Sequence, residues 1–209
     1  MEQEEVVVEQ AKTNPEAFGR LYDAYYQPIF GFLYSRTGNA DVAKDLCSET
    51  FFQAIKNIHR YKYKGRPFKS WLFAIAVAQV GNYYRSRRKY LSLAIDECPE
   101  IVADDKERPD MAFQAAEQEA SVREQIRLLR RIMLQLNQKQ QNILSLRFFS
   151  RHTIAEIAVV MCMKEGTVKS HIHRALNKLH GLMLKEQQPE PAPYEERTHV
   201  RTTFGTARV

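Results

Sequence analysis

The stretch that most constrains the fold is the run TIAEIAVVMCMKEGTVKSHIHRALNKLHGLM, from Thr153 to Met183. Thr153 and Glu156 have the spacing of a capping box, in which a hydroxyl and a carboxylate satisfy free backbone donors at a helix start. Apolar residues then recur at helical steps on both sides of residues 162–165, which predicts two helices joined by a turn. We expect the first helix to bury Ile154, Ile157, Ala158 and Met161, and the second to bury Val168, Ile172, Ala175, Leu176 and Leu179.

The second helix of this pair carries cationic and short polar side chains near its amino-terminal end. Two short helices and a tight turn describe a helix-turn-helix, whose second helix enters the major groove of DNA. A helical hairpin with a solvated basic face is the alternative, but the capping box, the turn and the apolar pattern all agree. The candidate DNA contacts are Thr167, Lys169, Ser170, His171, His173 and Arg174.

Composition limits the class of protein. The net charge of +6 favours polyanionic partners. No apolar run approaches the roughly 18 residues of a membrane span, and the acidic amino-terminal sequence is unlike a secretory signal, so we expect a cytoplasmic protein. Cys47, Cys98 and Cys162 are too far apart for a disulfide framework or a zinc pattern. We therefore expect no metal, no cofactor and no enzyme activity, since no catalytic constellation stands out.

Helical periodicity runs through most of the chain and strand signals are weak, so the predicted fold is all-α. Residues 96–110 hold seven acidic and two basic side chains with two prolines, which is typical of an extended linker. We expect two small helical domains joined by this linker, the second ending in the helix-turn-helix. The predicted boundaries are an acidic amino-terminal tail at 1–14, a first domain at 15–93, an acidic linker at 94–120, a second domain at 121–185 and a disordered Pro-rich tail at 186–209.

The first domain has two features of interest. A helix that begins at Asp41 has apolar positions at Val42, Leu46, Phe51 (or Phe52) and Ile55, and an acidic stripe at Asp41, Asp45 and Glu49. Residues 60–90 then hold nine Lys or Arg residues, no acidic residue and eight aromatic residues. Interleaved cations and rings suit single-stranded nucleic acid, although Trp71 and Phe73 are expected in the core. The candidate contacts are Lys62, Lys64, Arg66, Lys69, Trp71, Asn82, Arg85 and Arg88.

The two domains, taken together and in this order, resemble region 2 and region 4 of RNA polymerase sigma factors. The helix-turn-helix alone also resembles response regulators, but these do not account for the basic and aromatic residues of the first domain. The short linker between the domains resembles the layout of extracytoplasmic-function sigma factors over about residues 18–184. The resemblance implies three partners: core RNA polymerase, promoter DNA and an anti-sigma factor.

The resemblance also implies roles for matching residues. Asp41, Asp45, Leu46, Glu49 and Phe51 would bind polymerase, the cations and Trp71 of residues 60–90 would melt the −10 element, and the second helix of the helix-turn-helix would read the −35 element. The acidic linker resembles segments that thread the RNA exit channel. Four positions depart from the family pattern: Ser48 replaces the usual Gln, Ala78 an Asn that helps to capture a flipped base, Asn82 a common Asp, and His171 a frequent Arg.

Two other functions remain open on the sequence alone. One is a conventional regulator that binds duplex DNA without joining polymerase. The other is a decoy that sequesters an anti-sigma factor, for which the departures at Ser48 and Ala78 leave room.

Overall fold

The computed structural model describes residues 2–63, 66–93, 125, 127–129 and 131–186, and these residues contain helices and no strand. The all-α prediction is confirmed. The predicted linker at 94–120 and all but the first residue of the predicted tail lie outside the described residues. The helices are α1 (Glu2–Gln10), α2 (Pro15–Thr37), α3 (Ala40–Asn57), α4 (Phe68–Leu93), α5 (helical at 127–129 and 131–134), α6 (Gln138–Leu144), α7 (Ile154–Val160) and α8 (Glu165–Glu186). A 3₁₀ turn (Ile58–Arg60) follows α3, and a π-helical turn (Ser145–Phe149) follows α6.

The first residues differ from the predicted acidic tail, because most of them form α1. This helix packs on α2 and buries Val8, while the neighbouring Val6 is exposed. The Tyr25 hydroxyl donates a hydrogen bond to Glu4. A run of three adjacent valines has no helical period, so only tertiary burial shows which of them faces the core.

Helix α2 continues through Pro28, which neither ends it nor begins another helix. Its start is fixed by Asn14, whose side-chain oxygen accepts from the Glu16 amide at 2.9 Å. Its end is fixed by Gly38, which takes the left-handed conformation (φ 68°) that favours glycine. Fully buried residues such as Phe32 follow Pro28 directly, and their packing offsets the hydrogen bond that proline removes.

Helix α3 buries Phe51, one of its predicted apolar positions, but leaves the predicted Ile55 exposed. The buried residues are mostly small, and the Cys47 thiol among them has its pKa raised to about 12 by burial. Phe52 and Ile55 are instead 56% and 47% exposed. Small side chains let α3 approach α2 and α4 closely, so the buried face also includes small residues that a pattern of large apolar side chains leaves out.

The two predicted domains share one hydrophobic core. Leu72 and Phe73 of α4 belong to the same buried cluster as Ile157 of α7 and Val168 of α8. A second, smaller cluster lies within the second domain and joins α5 and α6 to Ala175 and Leu179 of α8. Leu176, which was expected on the inner face of α8, is instead 42% exposed.

A buried arginine spans the contact between the domains. Arg36 of α2 is 5% exposed, and its Nε donates to Asn142 Oδ1 of α6 at 2.7 Å. Its Nη1 donates to Gln141 Oε1. Burial lowers the pKa of Arg36 to about 10, because desolvation disfavours the charged form. The Tyr84 hydroxyl of α4 donates to the Arg36 carbonyl at 2.5 Å.

Two further contacts cross between the domains. The ring of His152, just before α7, meets the ring of Phe73 edge-on at 4.4 Å between centroids. Lys69 Nζ of α4 lies 3.4 Å from Glu156 Oε1 of α7. The contact between the domains is therefore apolar at its centre and carries polar links at several points.

Candidate nucleic-acid interface

The helix-turn-helix forms where the sequence predicts it. Thr153 Oγ1 accepts from the Glu156 amide at 3.2 Å, and Glu156 Oε2 accepts from the Thr153 amide at 2.7 Å, which confirms the capping box. Cys162 has a φ of 52° and reverses the chain between α7 and α8. Helix α8 begins at Glu165, and its residues Val168 and Ala175 are fully buried. The core therefore holds α8 with its opposite face toward solvent.

The outward face of α8 carries the predicted DNA contacts. All of them are exposed except His171, which is partly buried. Ser170 Oγ donates to the Gly166 carbonyl at 2.9 Å, and Arg174 Nε donates to the Ser170 carbonyl at 3.2 Å. The pKa of His171 is lowered by partial burial and by the charges of Arg174 and Lys139, so its neutral form is favoured. The face thus presents cations and neutral polar groups together.

The first domain presents cations beside aromatic rings. Trp71 is partly buried, and its ring lies 5.2 Å from that of Tyr61 and 5.5 Å from that of Phe68. The Tyr61 hydroxyl donates to the Arg66 carbonyl at 2.7 Å, which links two residues that lie between the 3₁₀ turn and α4. Phe73 is fully buried, as its core assignment predicts.

Most of the cations predicted in the first domain are exposed. Lys69 is the exception, since it pairs with Glu156 of the second domain. Lys64 lies outside the described residues. The Arg85 guanidinium donates to the Asn82 side chain, one turn earlier on α4. The exposed members of the predicted set are Lys62, Arg66, Asn82, Arg85 and Arg88.

The acidic stripe of α3 lies on its outward face. Asp41, Asp45 and Glu49 are exposed, and Leu46 is partly buried. Phe51, which the resemblance assigns to polymerase binding, is 4% exposed, and the centroid of its ring lies 4.6 Å from that of Tyr22. The outward aromatic residue is the next one, Phe52, so of the two phenylalanines that the apolar pattern allowed, Phe51 is the buried one.

Comparison with known proteins assigns the family. The family descriptions "Sigma-70 region 2" and "Sigma-70, region 4" match residues 21–90 and 126–179. The RNA polymerase sigma-H factor of Pseudomonas aeruginosa is 30% identical over 83% of this chain and 90% of its own length. The ECF RNA polymerase sigma factor BldN of Streptomyces coelicolor is 34% identical over 85% of this chain, which spans 64% of BldN. The chain is an extracytoplasmic-function sigma factor.

A solved relative of this sigma factor agrees in fold. The sigma factor RpoE from Bartonella quintana, in complex with the anti-sigma factor NepR, has a TM-score of 0.60 and 22% sequence identity. The likeness covers 82% of this chain and 98% of that one. The fold of the two-domain sigma factor is therefore shared.

The sequence analysis of this sigma factor did not identify the amide side chains around Ala78 as candidate functional residues. Gln53 and Asn57 of α3 face Ala78 and Gln79 of α4 across a cavity of about 430 Å³. Glutamine and asparagine carry no charge and follow no apolar period, so no sequence signal singled them out. Only the packing of α3 on α4 brings them together.

Among the residues that the structure describes, no group of three or more His, Cys, Asp or Glu side chains could hold a metal ion. The described helices also include none that is long and apolar enough to cross a membrane.

Proposed function

We propose that this sigma factor directs core RNA polymerase to promoters by binding −35 duplex DNA with α8 and −10 single-stranded DNA with the first domain. The supporting observation is that one chain carries two different surfaces, each with side chains suited to nucleic acid. One is an exposed polar helix face, and the other is a group of cations around partly buried rings. A protein that only reads duplex DNA needs the first surface and not the second.

The −35 role rests on α8. A recognition helix reads base edges with side chains near its amino-terminal end, where Thr167, Lys169 and Ser170 are exposed. Arg174 lies one turn further along, where a guanidinium suits a phosphate or a guanine. His171 is held toward its neutral form, so it offers a hydrogen bond to a base edge in place of an arginine charge.

The −10 role rests on Trp71 and its neighbours. Base stacking on an aromatic ring needs a ring that is fixed by packing yet open on one face, and the partly buried Trp71 fits both needs. Exposed Lys62, Arg66 and Arg85 supply charge for the phosphates of the separated strand.

Polymerase binding is assigned to the outward face of α3. Its acidic stripe would steer docking on a basic surface of the large catalytic subunit. Phe52 takes the anchoring position, since Phe51 is buried in the core. Ser48 lies on the same exposed face, and its side chain offers less contact area there than a glutamine would.

The remaining assignments follow from this role. Catalysis belongs to the polymerase, so this chain is not itself an enzyme. The cytoplasm is the expected compartment, and an anti-sigma factor is the expected regulator. The NepR complex of a relative supports the last point.

Run-off transcription tests the proposal. Purified core RNA polymerase is given a pool of genomic promoter fragments with and without this protein, and a paired reaction measures core binding. Discrete transcripts that depend on the protein are expected. Core binding without transcripts would favour a decoy, and DNA binding without core binding would favour a conventional regulator.

A further inference from the structure

A buried histidine lies in the contact between the two domains. His152 is fully buried, and its ring meets the ring of Phe73 edge-on, with 4.4 Å between centroids and 72° between planes. His152 belongs to the second domain, just before α7, whereas Phe73 belongs to α4 of the first domain. Separation of the domains would therefore remove Phe73 from the imidazole and expose that side of the ring to water.

The hydrogen bonds of His152 favour its neutral form. Nδ1 lies 3.1 Å from the carbonyl oxygen of Ser150, and because a carbonyl only accepts, Nδ1 carries the proton. Nε2 then holds a lone pair, and it has no hydrogen-bond partner among the described residues. A proton added at Nε2 would bring a positive charge into a buried site without a paired acceptor. The packed domains thus disfavour the protonated ring.

Charged side chains act on His152 in opposite directions. Burial is the largest cause that lowers the pKa of His152, and the ammonium group of Lys69 on α4 lowers it further. The carboxylate of Glu156 on α7 raises this pKa, as do the carbonyl oxygens of Ser150 and Leu146, but the pKa remains below 6.5. The imidazole is therefore held neutral mainly because it is buried between the domains.

Further charged groups lie at the same contact. On the π-helical turn, Arg147 Nη1 donates to the carbonyl oxygen of His152 at 3.0 Å. On α2, the guanidinium of Arg36 is buried and bonded to α6, and its pKa is lowered by burial to about 10. The pKa of the Glu156 carboxyl is lowered, although burial acts to raise it. Arg36 and Glu156 therefore stay charged between pH 5.5 and 7.5, where the charge of His152 changes.

Separation of the domains would bring polar groups at the contact into water. Nη2 of Arg36 is buried and, like Nε2 of His152, has no hydrogen-bond partner among the residues that the structure describes. An unpaired buried donor or acceptor costs free energy that contact with water restores. The apolar burial that holds the domains together is therefore partly offset, and a charge added at His152 would shift the balance further.

We propose that His152 is a proton-sensitive latch between the domains, in which a proton taken up at Nε2 weakens the packing on Phe73 and favours a form with the domains apart. The signal is a fall in the pH around the protein. The open form also frees Lys69 from Glu156, whose carboxylate lies 3.4 Å from the Lys69 ammonium in the closed form. The latch belongs to the chain by itself, so it does not depend on promoter or polymerase binding.

The direction of the pH effect follows from the affinity of each form for the proton. In the open form water solvates the imidazolium, so the pKa of His152 there is near the ordinary 6.5, whereas in the closed form the pKa is lower. Between these two values the open form binds more protons, so the ratio of open to closed chains rises as the pH falls. One proton is involved, so the rise is at most about tenfold per pH unit.

Small-angle X-ray scattering of the full chain, without polymerase or DNA, tests the latch. The radius of gyration should increase reversibly as the pH falls from 7.5 to 5.5, because the separated domains occupy more space. Far-UV circular dichroism of the same samples should stay constant, which distinguishes domain separation from unfolding of the helices. An unchanged radius, or an increase that accompanies loss of helix, would overturn the proposal.

Two histidine variants locate the response. In His152→Leu the side chain cannot take up a proton, so the radius of gyration should be the same at both pH values. His59→Leu removes an exposed histidine of the 3₁₀ turn and should respond as the wild type does. A response that persists in His152→Leu, or that is lost in His59→Leu, would overturn the assignment to His152.

NMR titration of the wild-type chain leaves the buried ring in place, so it does not depend on whether His152→Leu folds. The ring resonance of His152 should titrate below pH 6.5, in the same pH range as the change in radius. Titration of His152 outside that range would overturn the latch. Run-off transcription at fixed pH reports on the proposed function separately, so either proposal can fail while the other stands.

Discussion

The two proposed nucleic-acid surfaces of this protein differ in how their side chains are held. On α8 the proposed contact residues project from a helix whose other face is buried, and all of them are exposed apart from the partly buried His171. In the first domain, Trp71 is itself partly buried, and Lys69 is paired with Glu156 of the second domain. Reading duplex DNA needs only exposed side chains on a rigid helix, whereas holding a single strand needs rings that also belong to the packing. The second surface is therefore coupled to the arrangement of the domains.

Glu156 shows this coupling most directly. Burial acts to raise its pKa, but hydrogen bonds from the Thr153 amide and hydroxyl, together with Lys69 and His152, lower it overall. The same carboxylate caps α7 and pairs with Lys69. Separation of the domains would release Lys69 toward DNA while leaving the helix cap in place.

The largest expected effect is that of Phe73→Ala. Phe73 is fully buried between Phe32 and His152, so the variant should lose about 3–5 kcal/mol of unfolding free energy through reduced burial and a cavity. Urea denaturation measures this loss. Phe52→Ala, at an exposed site, should change stability by less than about 0.5 kcal/mol. Equal losses in the two variants would contradict the assignment of Phe73 to the shared core.

The next effect is that of Arg36→Met. Without the guanidinium, the oxygens of Gln141 and Asn142 have no donor in a buried site, which should cost about 2 kcal/mol. The affinity for duplex −35 DNA should not change, because α8 does not depend on this contact. A weakened duplex affinity would show that the two surfaces are less independent than the structure implies.

Lys169→Ala combined with Arg174→Ala tests α8 alone. Without these two cations, promoter binding should weaken by about tenfold or more, and the slope of its salt dependence should fall by about one unit for each phosphate that is no longer neutralised. Filter binding over a range of salt concentrations measures both. Core polymerase affinity should be unchanged, and Lys185→Ala, an exposed cation at the far end of α8, is the matched control.

The smallest effect concerns pH. Burial and the charge of Lys69 lower the pKa of His152 below 6.5, although Glu156 opposes this. Between the lowered pKa and 6.5 the unfolded chain binds more protons than the folded one, so stability falls as the pH falls through this window. Thermal unfolding from pH 7.5 to 5.5 should show this loss in the wild type. In His152→Leu the loss should be smaller, and an identical pH dependence in both proteins would count against a role for His152.

The sequence analysis correctly predicted the structural features that local residue patterns determine. The capping box at Thr153 and Glu156 and the turn that contains Cys162 formed as expected, because each depends on residues within one or two helical turns. The family resemblance was predicted for the same reason, since its motifs are local.

What the sequence could not predict depends on distant packing. The choice between Phe51 and Phe52 was decided by the small residues of α3, which bring α2 and α4 close. The hydrogen-bond partners of Arg36, Gln141 and Asn142, lie more than a hundred positions away in the sequence. No local pattern therefore indicates that this arginine is buried. The cavity at Ala78 likewise forms only where α3 packs on α4, so neither helix alone indicates which amide side chains line it.

The single core shared by both domains limits the distance between two DNA sites that the folded sigma factor can span. Helices packed on one core lie within a few helix diameters of one another, and one helix diameter is about 10 Å. Positions −35 and −10 are about 85 Å apart along duplex DNA at 3.4 Å per base pair. About 30 residues separate Leu93 from Gln125, and a chain of that length reaches at most about 100 Å. If α8 binds the −35 element and the first domain binds the −10 element, as proposed, the two domains must separate, and the number of residues between Leu93 and Gln125 then limits how far apart they can move.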